Sequence, residues 1–285
     1  MDQNEKKLKT IISGRKIIAR TRGNNHGPIT RIVSPSNRIA ELIKPFVFLD
    51  YFKHDGTFEG FGLHPHSGIA TLTYIIEGAV NYIDTSGKTG VVPPGGLEWM
   101  KAGGGAWHGG RGKGTGPKSG FQLWISLPPG IEEEASESLY ASPEEVKVQG
   151  NVRVLLGSYG EAKSPFETPA SMNYYQVLLK NGERWHYEPP KGHKVAWVYP
   201  YKGSLRAGEI IENAELAVFE SSETAIDIEA VGETAFMFGS AVPHVYPLVL
   251  GRYSVHTNAQ ALEDSEKHIL QIERRLIEDG KLSFT

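Results

Sequence analysis

Cysteine is absent from the 285 residues. That excludes disulfides, thiolate metal sites and cysteine nucleophiles, and it leaves histidine and carboxylate as the metal-ligand repertoire. Long apolar runs are absent too: none approaches the roughly 18 to 20 residues of a membrane-spanning helix. The opening stretch MDQNEKKLKTIISGRK lacks the apolar core of a signal peptide. A cytoplasmic protein with no membrane partner is therefore expected. Neither sign of charge is in large excess, since the formal net charge is -3, so no patch for direct nucleic-acid binding is indicated. Helical periodicity is missing from residues 15 to 128.

What is present points to strands and turns. Hydrophobic residues make up 39% and charged residues 22%, the balance of a globular chain. Glycine (33) and proline (17) are abundant, and 12 tyrosines and 5 tryptophans accompany them, as in a chain of many short strands separated by turns. Short strands are read at residues 16–20, 30–33, 70–77, 80–84, 97–100 and 121–127. An acidic stretch, residues 131–146, reads as a solvated connector. A second set of strands runs from Val152 to Gly239 with the spacing of another sandwich or barrel. The ending differs: from Asn258 to Asp279, Leu262, Ile269, Ile272 and Leu276 fall at helical spacing, and Gly280 suits the position that ends a helix. That apolar stripe should pack on one of the barrels.

Chemistry concentrates between Phe61 and Pro128. His64 and His66 flank Pro65, and on a strand residues i and i+2 share a face. A third histidine, His108, sits in a glycine-rich segment, and if its strand runs nearby three imidazoles can meet at one point. Neutral imidazole is a common ligand for iron, zinc, copper and nickel.

The runs Lys44-Pro45-Phe46-Val47-Phe48-Leu49-Asp50, His64-Pro65-His66-Ser67-Gly68 and Thr71-Leu72-Thr73-Tyr74 resemble the N-terminal signature of pirins. So do Asp84-Thr85-Ser86-Gly87, Glu98-Trp99-Met100-Lys101-Ala102-Gly103 and Phe121-Gln122-Leu123-Trp124-Ile125-Ser126-Leu127-Pro128. Their order and spacing hold over residues 40 to 130. The second half matches more loosely, through Gly182-Glu183, Val198-Tyr199, Gly239 and Val255-His256-Thr257-Asn258. The resemblance implies an all-β bicupin, two tandem jelly-roll β-barrels, here with a C-terminal helix. It implies one divalent metal, usually iron, in the first barrel, and a second barrel without a site. It also implies either oxidative opening of a flavonol such as quercetin or a regulatory role through a protein partner. The metal ligands carried over are His64, His66 and His108. The family's glutamate, two residues after the third histidine, is Gly110 here; the Arg after His-Pro-His is Ser67, and the Phe-Glu pair after the glycine is Ile69-Ala70. Three imidazoles without that carboxylate do not choose among iron, nickel, copper and zinc.

The expected domains are an N-terminal barrel over 15–145 with the metal site, a structural C-terminal barrel over 146–258, and a helix and tail over 259–285 packed on a barrel. Glu98 is the candidate catalytic residue, as a base or as a partner of a ligand, with a solvent-facing strand position as the plainer alternative. The segment Gly103–Gly120 carries nine glycines and reads as a mobile lip over the barrel mouth. The aromatics Phe46, Phe48, Phe61, Trp99, Trp107 and Trp124 read as core, some of them as a wall for a flat aromatic substrate. Of the later histidines, His186, His193, His244, His256 and His268 match no metal template, and His268 is expected at the surface. Two functions follow: a quercetin 2,3-dioxygenase type of enzyme, or a non-catalytic binding or regulatory bicupin.

Overall fold

A computed structural model describes residues 14–56, 60–85 and 87–282; the polar tail expected before residue 14 lies almost wholly outside them. The chain forms two β-barrels and a C-terminal helix. In the first, a seven-stranded sheet runs in the order 137–141, 97–101, 69–77, 118–126, 46–54, 29–33, 24–26. It faces a four-stranded sheet in the order 61–66, 106–113, 79–84, 89–92. The second barrel is built on a nine-stranded sheet whose two longest strands are Val195–Ala207 and Ile226–Ala241.

The central strands of the first barrel's larger sheet are buried on both faces, which is why they read as apolar runs and not as alternation. Within Ile69–Glu77, Leu72 and Tyr74 join the core shared with the second barrel, while Thr71 and Thr73 face the other way. That shared core is aromatic: Phe46 meets Trp197 edge-on with centroids 5.6 Å apart, and Phe121 meets Tyr199 at 5.9 Å. Tyr74 Oη donates to Gln176 Oε1 across the same junction (2.7 Å). The interior of the second barrel is filled by a cluster that includes Trp185, Tyr187, Tyr175 and Phe238, with the Tyr187 and Phe238 rings 4.6 Å apart. Filled this way it is a packed core.

Several sequence expectations are corrected. Ile17–Thr21, assigned to the first barrel, pairs antiparallel with Leu216–Phe219 in the second; strand partners so far apart in sequence leave no local signal. A six-residue helix, Arg38–Ile43, interrupts the β half. It is too short to show periodicity, and its trace in the sequence is Asn37, whose side chain caps Ala40 N at 3.0 Å. The segment read as a glycine lip is instead the strands Ala106–Lys113 and Lys118–Ser126. Lys118 is buried, its Nζ donating to the carbonyls of Gly114 and Gly116 at 2.8 Å each. The acidic connector is not solvated throughout either. Glu137–Ala141 pairs with Leu97–Lys101, and Glu132 is fully buried.

Ala259–Glu278 is the C-terminal helix, capped at its start by Asn258 Oδ1 accepting from Ala261 N at 2.9 Å. At its end Gly280 adopts φ 67°. Gly280 N donates to Ile277 O and Lys281 N to Leu276 O, the paired bonds that close a helix through a left-handed residue. Its buried stripe includes Ile269 and Leu276 and packs on Trp107, on the outer face of the first barrel's smaller sheet. His268 is exposed as expected, with its ring hydrogen-bonded to the carbonyl of Gly104. No helix among the described residues is long and apolar enough to cross a membrane.

The barrels are also joined by a strap, residues 249–257, folded as a small hairpin of Val249–Leu250 against Val255–His256. Ser67 Oγ lies 2.8 Å from Ser254 Oγ and 2.9 Å from His256 Nε2, and His256 Nδ1 lies 3.1 Å from Glu132 Oε2. Glu132 also accepts from Thr257 N at 2.7 Å and from the Thr257 hydroxyl. Gly68 allows the strap to approach, because a Cβ there would stand 2.1 Å from Val255 O. A buried acid that satisfies three donors leaves all of them unpaired when removed. Glu132→Ala is therefore expected to cost about 3 kcal/mol, read as a lower midpoint in urea denaturation. A change below about 0.5 kcal/mol, the scale of ordinary surface substitutions, would show that the buried network does not hold the strap.

Candidate metal centre

The three histidines meet because of register. His64 and His108 are directly opposed partners on adjacent antiparallel strands, and Ala106 opposes His66. Directly opposed residues share a face, and so do i and i+2 on one strand. His64, His66 and His108 therefore all point between the two sheets. Their candidate ligand nitrogens lie within 4.8 Å of one another, and the ring centroids of the three pairs are 4.7 to 5.2 Å apart.

Each ring is oriented through Nδ1. His64 Nδ1 is 2.8 Å from Gly62 O, and His66 Nδ1 is 2.9 Å from Tyr253 O. His108 Nδ1 is 2.9 Å from Glu98 Oε1. Carbonyl and carboxylate oxygens only accept, so each Nδ1 carries a proton, and in the neutral tautomer that this selects, Nε2 is the atom with the lone pair. His108 Nε2 is buried with no hydrogen-bond partner among the described residues. Such an atom is costly unless something binds it, and a convergent imidazole group is one that could hold a metal ion. Burial, reinforced by the neighbouring imidazoles, pushes His64 down from 6.5 to about 4 and His66 well below its ordinary value. Both are neutral at pH 7, the form that ligates.

The opposing wall comes from the larger sheet. Glu98 pairs with Thr73, Thr73 with Gln122, Gln122 with Asp50 and Asp50 with Arg31, all in direct register. The result is a polar row across five strands, facing the histidines. Arg31 grips Asp50 with two bonds, 3.1 and 3.0 Å. Glu98, expected as a base, as a partner of a ligand or as a solvent-facing group, is buried. One of its oxygens takes His108 and the other takes the Thr73 hydroxyl at 3.0 Å. Two residues along the same strands stands an aromatic row, with Phe48 and Trp124 stacked at 4.1 Å and Trp124 edge-on to His66 at 4.8 Å.

Between the walls lies a cavity of about 700 Å³, within the usual size range of small-molecule sites. Gly110 forms part of it and offers no side-chain donor. The aromatics Phe46 and Trp99, by contrast, belong to the shared core, and Trp107 belongs to the helix contact. Sequence reasoning missed Tyr253, whose backbone carbonyl carries no side-chain signature. It also missed Thr73 and Gln122, which show themselves only through cross-strand register.

Two cupin barrels with a three-histidine pocket in the first define the class as a bicupin with a candidate metal centre. The family model described as Pirin matches residues 29–125. A pirin-like protein of Caulobacter vibrioides is 31% identical over 72% of this chain and 78% of its own length. A Pseudomonas aeruginosa protein named "putative quercetin 2,3-dioxygenase" is 30% identical over 86% and 92%. The chain belongs to the pirin family. The fold agrees with that of a quercetin 2,3-dioxygenase from Acinetobacter baumannii, at a TM-score of 0.83 and 22% identity over 91% of this chain and 98% of that one.

The pKa directions give a test on chelator-treated protein. A histidine whose folded pKa is depressed binds its proton more readily when unfolded, so stability falls as pH drops from 6.5 towards about 4. Urea midpoints measured across that range should decline, and His64→Gln should flatten the decline. An unchanged slope in the variant would count against a neutral, buried His64.

Proposed function

We propose that this bicupin binds one divalent metal through Nε2 of His64, His66 and His108 and acts as an oxidoreductase of the quercetin 2,3-dioxygenase type. The observation that carries the reading is the set of three imidazoles locked through Nδ1, with a buried, unpartnered Nε2 on His108. The name of the Pseudomonas relative supports the reaction class. A metal held by three neutral imidazoles keeps its full charge and supplies Lewis acidity and, if iron, nickel or copper, a route for electrons between substrate and oxygen. Iron is the proposed metal, and the donor set itself does not choose among iron, nickel, copper and zinc.

The remaining chemistry is the chain's own. The aromatic row of Phe48 and Trp124 offers a flat wall for a ring system such as a flavonol. His66 forms the edge of that wall, so a stacked ring lies beside the ligands. Of the roles left open for Glu98 we assign positioning, because both carboxylate oxygens are already engaged. It holds the His108 proton on Nδ1, away from the ligand atom, and so fixes which nitrogen faces the cavity. The strap does the same for His66 through the Tyr253 carbonyl.

Gly110 supports a second reading. Among the described residues the histidine cluster contains no carboxylate, so a binding or regulatory bicupin with weak or no metal, serving a protein partner, is the alternative. Elemental analysis separates the two. The metal reading expects about one metal per chain, lost in His64→Ala and His108→Ala. Glu98→Ala should weaken metal affinity about 10- to 100-fold while the protein still folds. Loaded protein should bleach quercetin absorbance; full occupancy with no bleaching for any of iron, nickel or copper would rule out the dioxygenase. Metal well below one per chain after reloading would favour the binding module.

A further inference from the structure

The charged side chains lining the cavity balance in number, two arginines against two carboxylates, but only one of the arginines is paired. Four line it apart from the histidines: Arg31, Asp50, Glu98 and Arg252. Arg31 and Asp50 form a two-bond ion pair, and Glu98 is held by His108 and Thr73. Arg252 is different. It is exposed and, among the described residues, has no carboxylate within ion-pair distance; its guanidinium lies over the Tyr253 ring, 5.2 Å from the centroid. Tyr253 in turn stands 6.4 Å, centroid to centroid, from both His64 and His66. One aromatic ring therefore separates this cation, without an ion-pair partner among the described residues, from the histidine centre.

Position sharpens the point. Arg252 lines both the main cavity and a neighbouring groove that runs along the C-terminal helix. The groove is walled by apolar side chains and by two carboxylates, Glu266 and Glu273. Those carboxylates repel an anion on the groove side, so an anion held by Arg252 is favoured on the cavity side. There one wall carries the stacked Phe48 and Trp124 rings, the carboxylates of Asp50 and Glu98 are already engaged by Arg31 and by His108 and Thr73, and the other positive end would be the metal.

We infer that Arg252 is a specificity-determining residue: the site takes a flat aromatic substrate with two oxyanion groups, one for the metal and a carboxylate for Arg252. This rests on the metal-binding reading for the first group and on Arg252 alone for the second. Arg252 meets a carboxylate with two parallel N–H donors, which a lysine cannot reproduce. The Tyr253 ring beneath limits the guanidinium's freedom and so the entropy lost on binding.

Zinc-loaded protein, which is redox-inert, allows binding to be read without turnover. Calorimetric titration with 2,6-naphthalenedicarboxylate and with 2-naphthoate isolates the second carboxylate. The dicarboxylate should bind about tenfold tighter or more. Arg252→Gln should bring the two within about twofold, with 2-naphthoate itself little changed, and Arg252→Lys should keep part of the difference. Equal affinities in the unaltered protein, or a preference that survives Arg252→Gln, overturn the inference. Failure of the metal reading shows separately, as zinc that does not bind stoichiometrically. The question is then asked of metal-free protein, where Arg252 alone should favour 2-naphthoate over the neutral 2-naphthalenemethanol and Arg252→Gln should abolish that preference; no preference there overturns it equally.

Discussion

A buried hydrogen bond at the histidine centre crosses the interior of the first barrel. His108 Nδ1, on the four-stranded sheet, donates to Glu98 Oε1, on the seven-stranded sheet. It fixes the His108 tautomer, sets the spacing of the two walls at the site, and anchors the polar row through Thr73. Its low-dielectric surroundings make it strong when formed and costly when broken. The aromatic row is spaced from this polar row by the strand period of two, so the flat wall and the histidine face stay in fixed relation.

The second barrel contributes differently. Its own interior is packed with aromatic rings. Its role lies in what it presses against the first barrel. The shared core orders the back of the larger sheet, and the strap delivers the Tyr253 carbonyl to His66 and Arg252 to the cavity rim. Ser67, adjacent in sequence to His66, ties to the strap through Ser254 and His256 and so to the buried Glu132. A histidine group that looks local to one barrel is thus held by both.

Much of this was legible in the residues. Alternation and turn chemistry gave the strands, and helical spacing with Asn258 and Gly280 gave the terminal helix to within a residue or two. The motif order around His64-Pro65-His66 gave the family, and the period of two gave the shared face of His64 and His66. The glycine-rich stretch misled, because composition alone cannot tell a mobile lip from strands whose glycines allow neighbours to approach. Gly120, for example, lies where a Cβ would stand 2.3 Å from Tyr74 O. The acidic connector misled for a related reason: a carboxylate reads as solvated until three donors are seen converging on Glu132.

The sequence by itself bounded the donor set: with no cysteine, any metal centre here had to draw on histidine and carboxylate, and His64, His66 and His108 stood in strand-compatible positions. It also determined that Gly110 brings no carboxylate. Only the tertiary structure decided that His108 opposes His64, that Glu98 faces inward, and that residues 249–257 close over His66. Register and long-range backbone contacts decide those things. They depend on which strands pair across tens to hundreds of residues, and a local pattern carries no record of that choice.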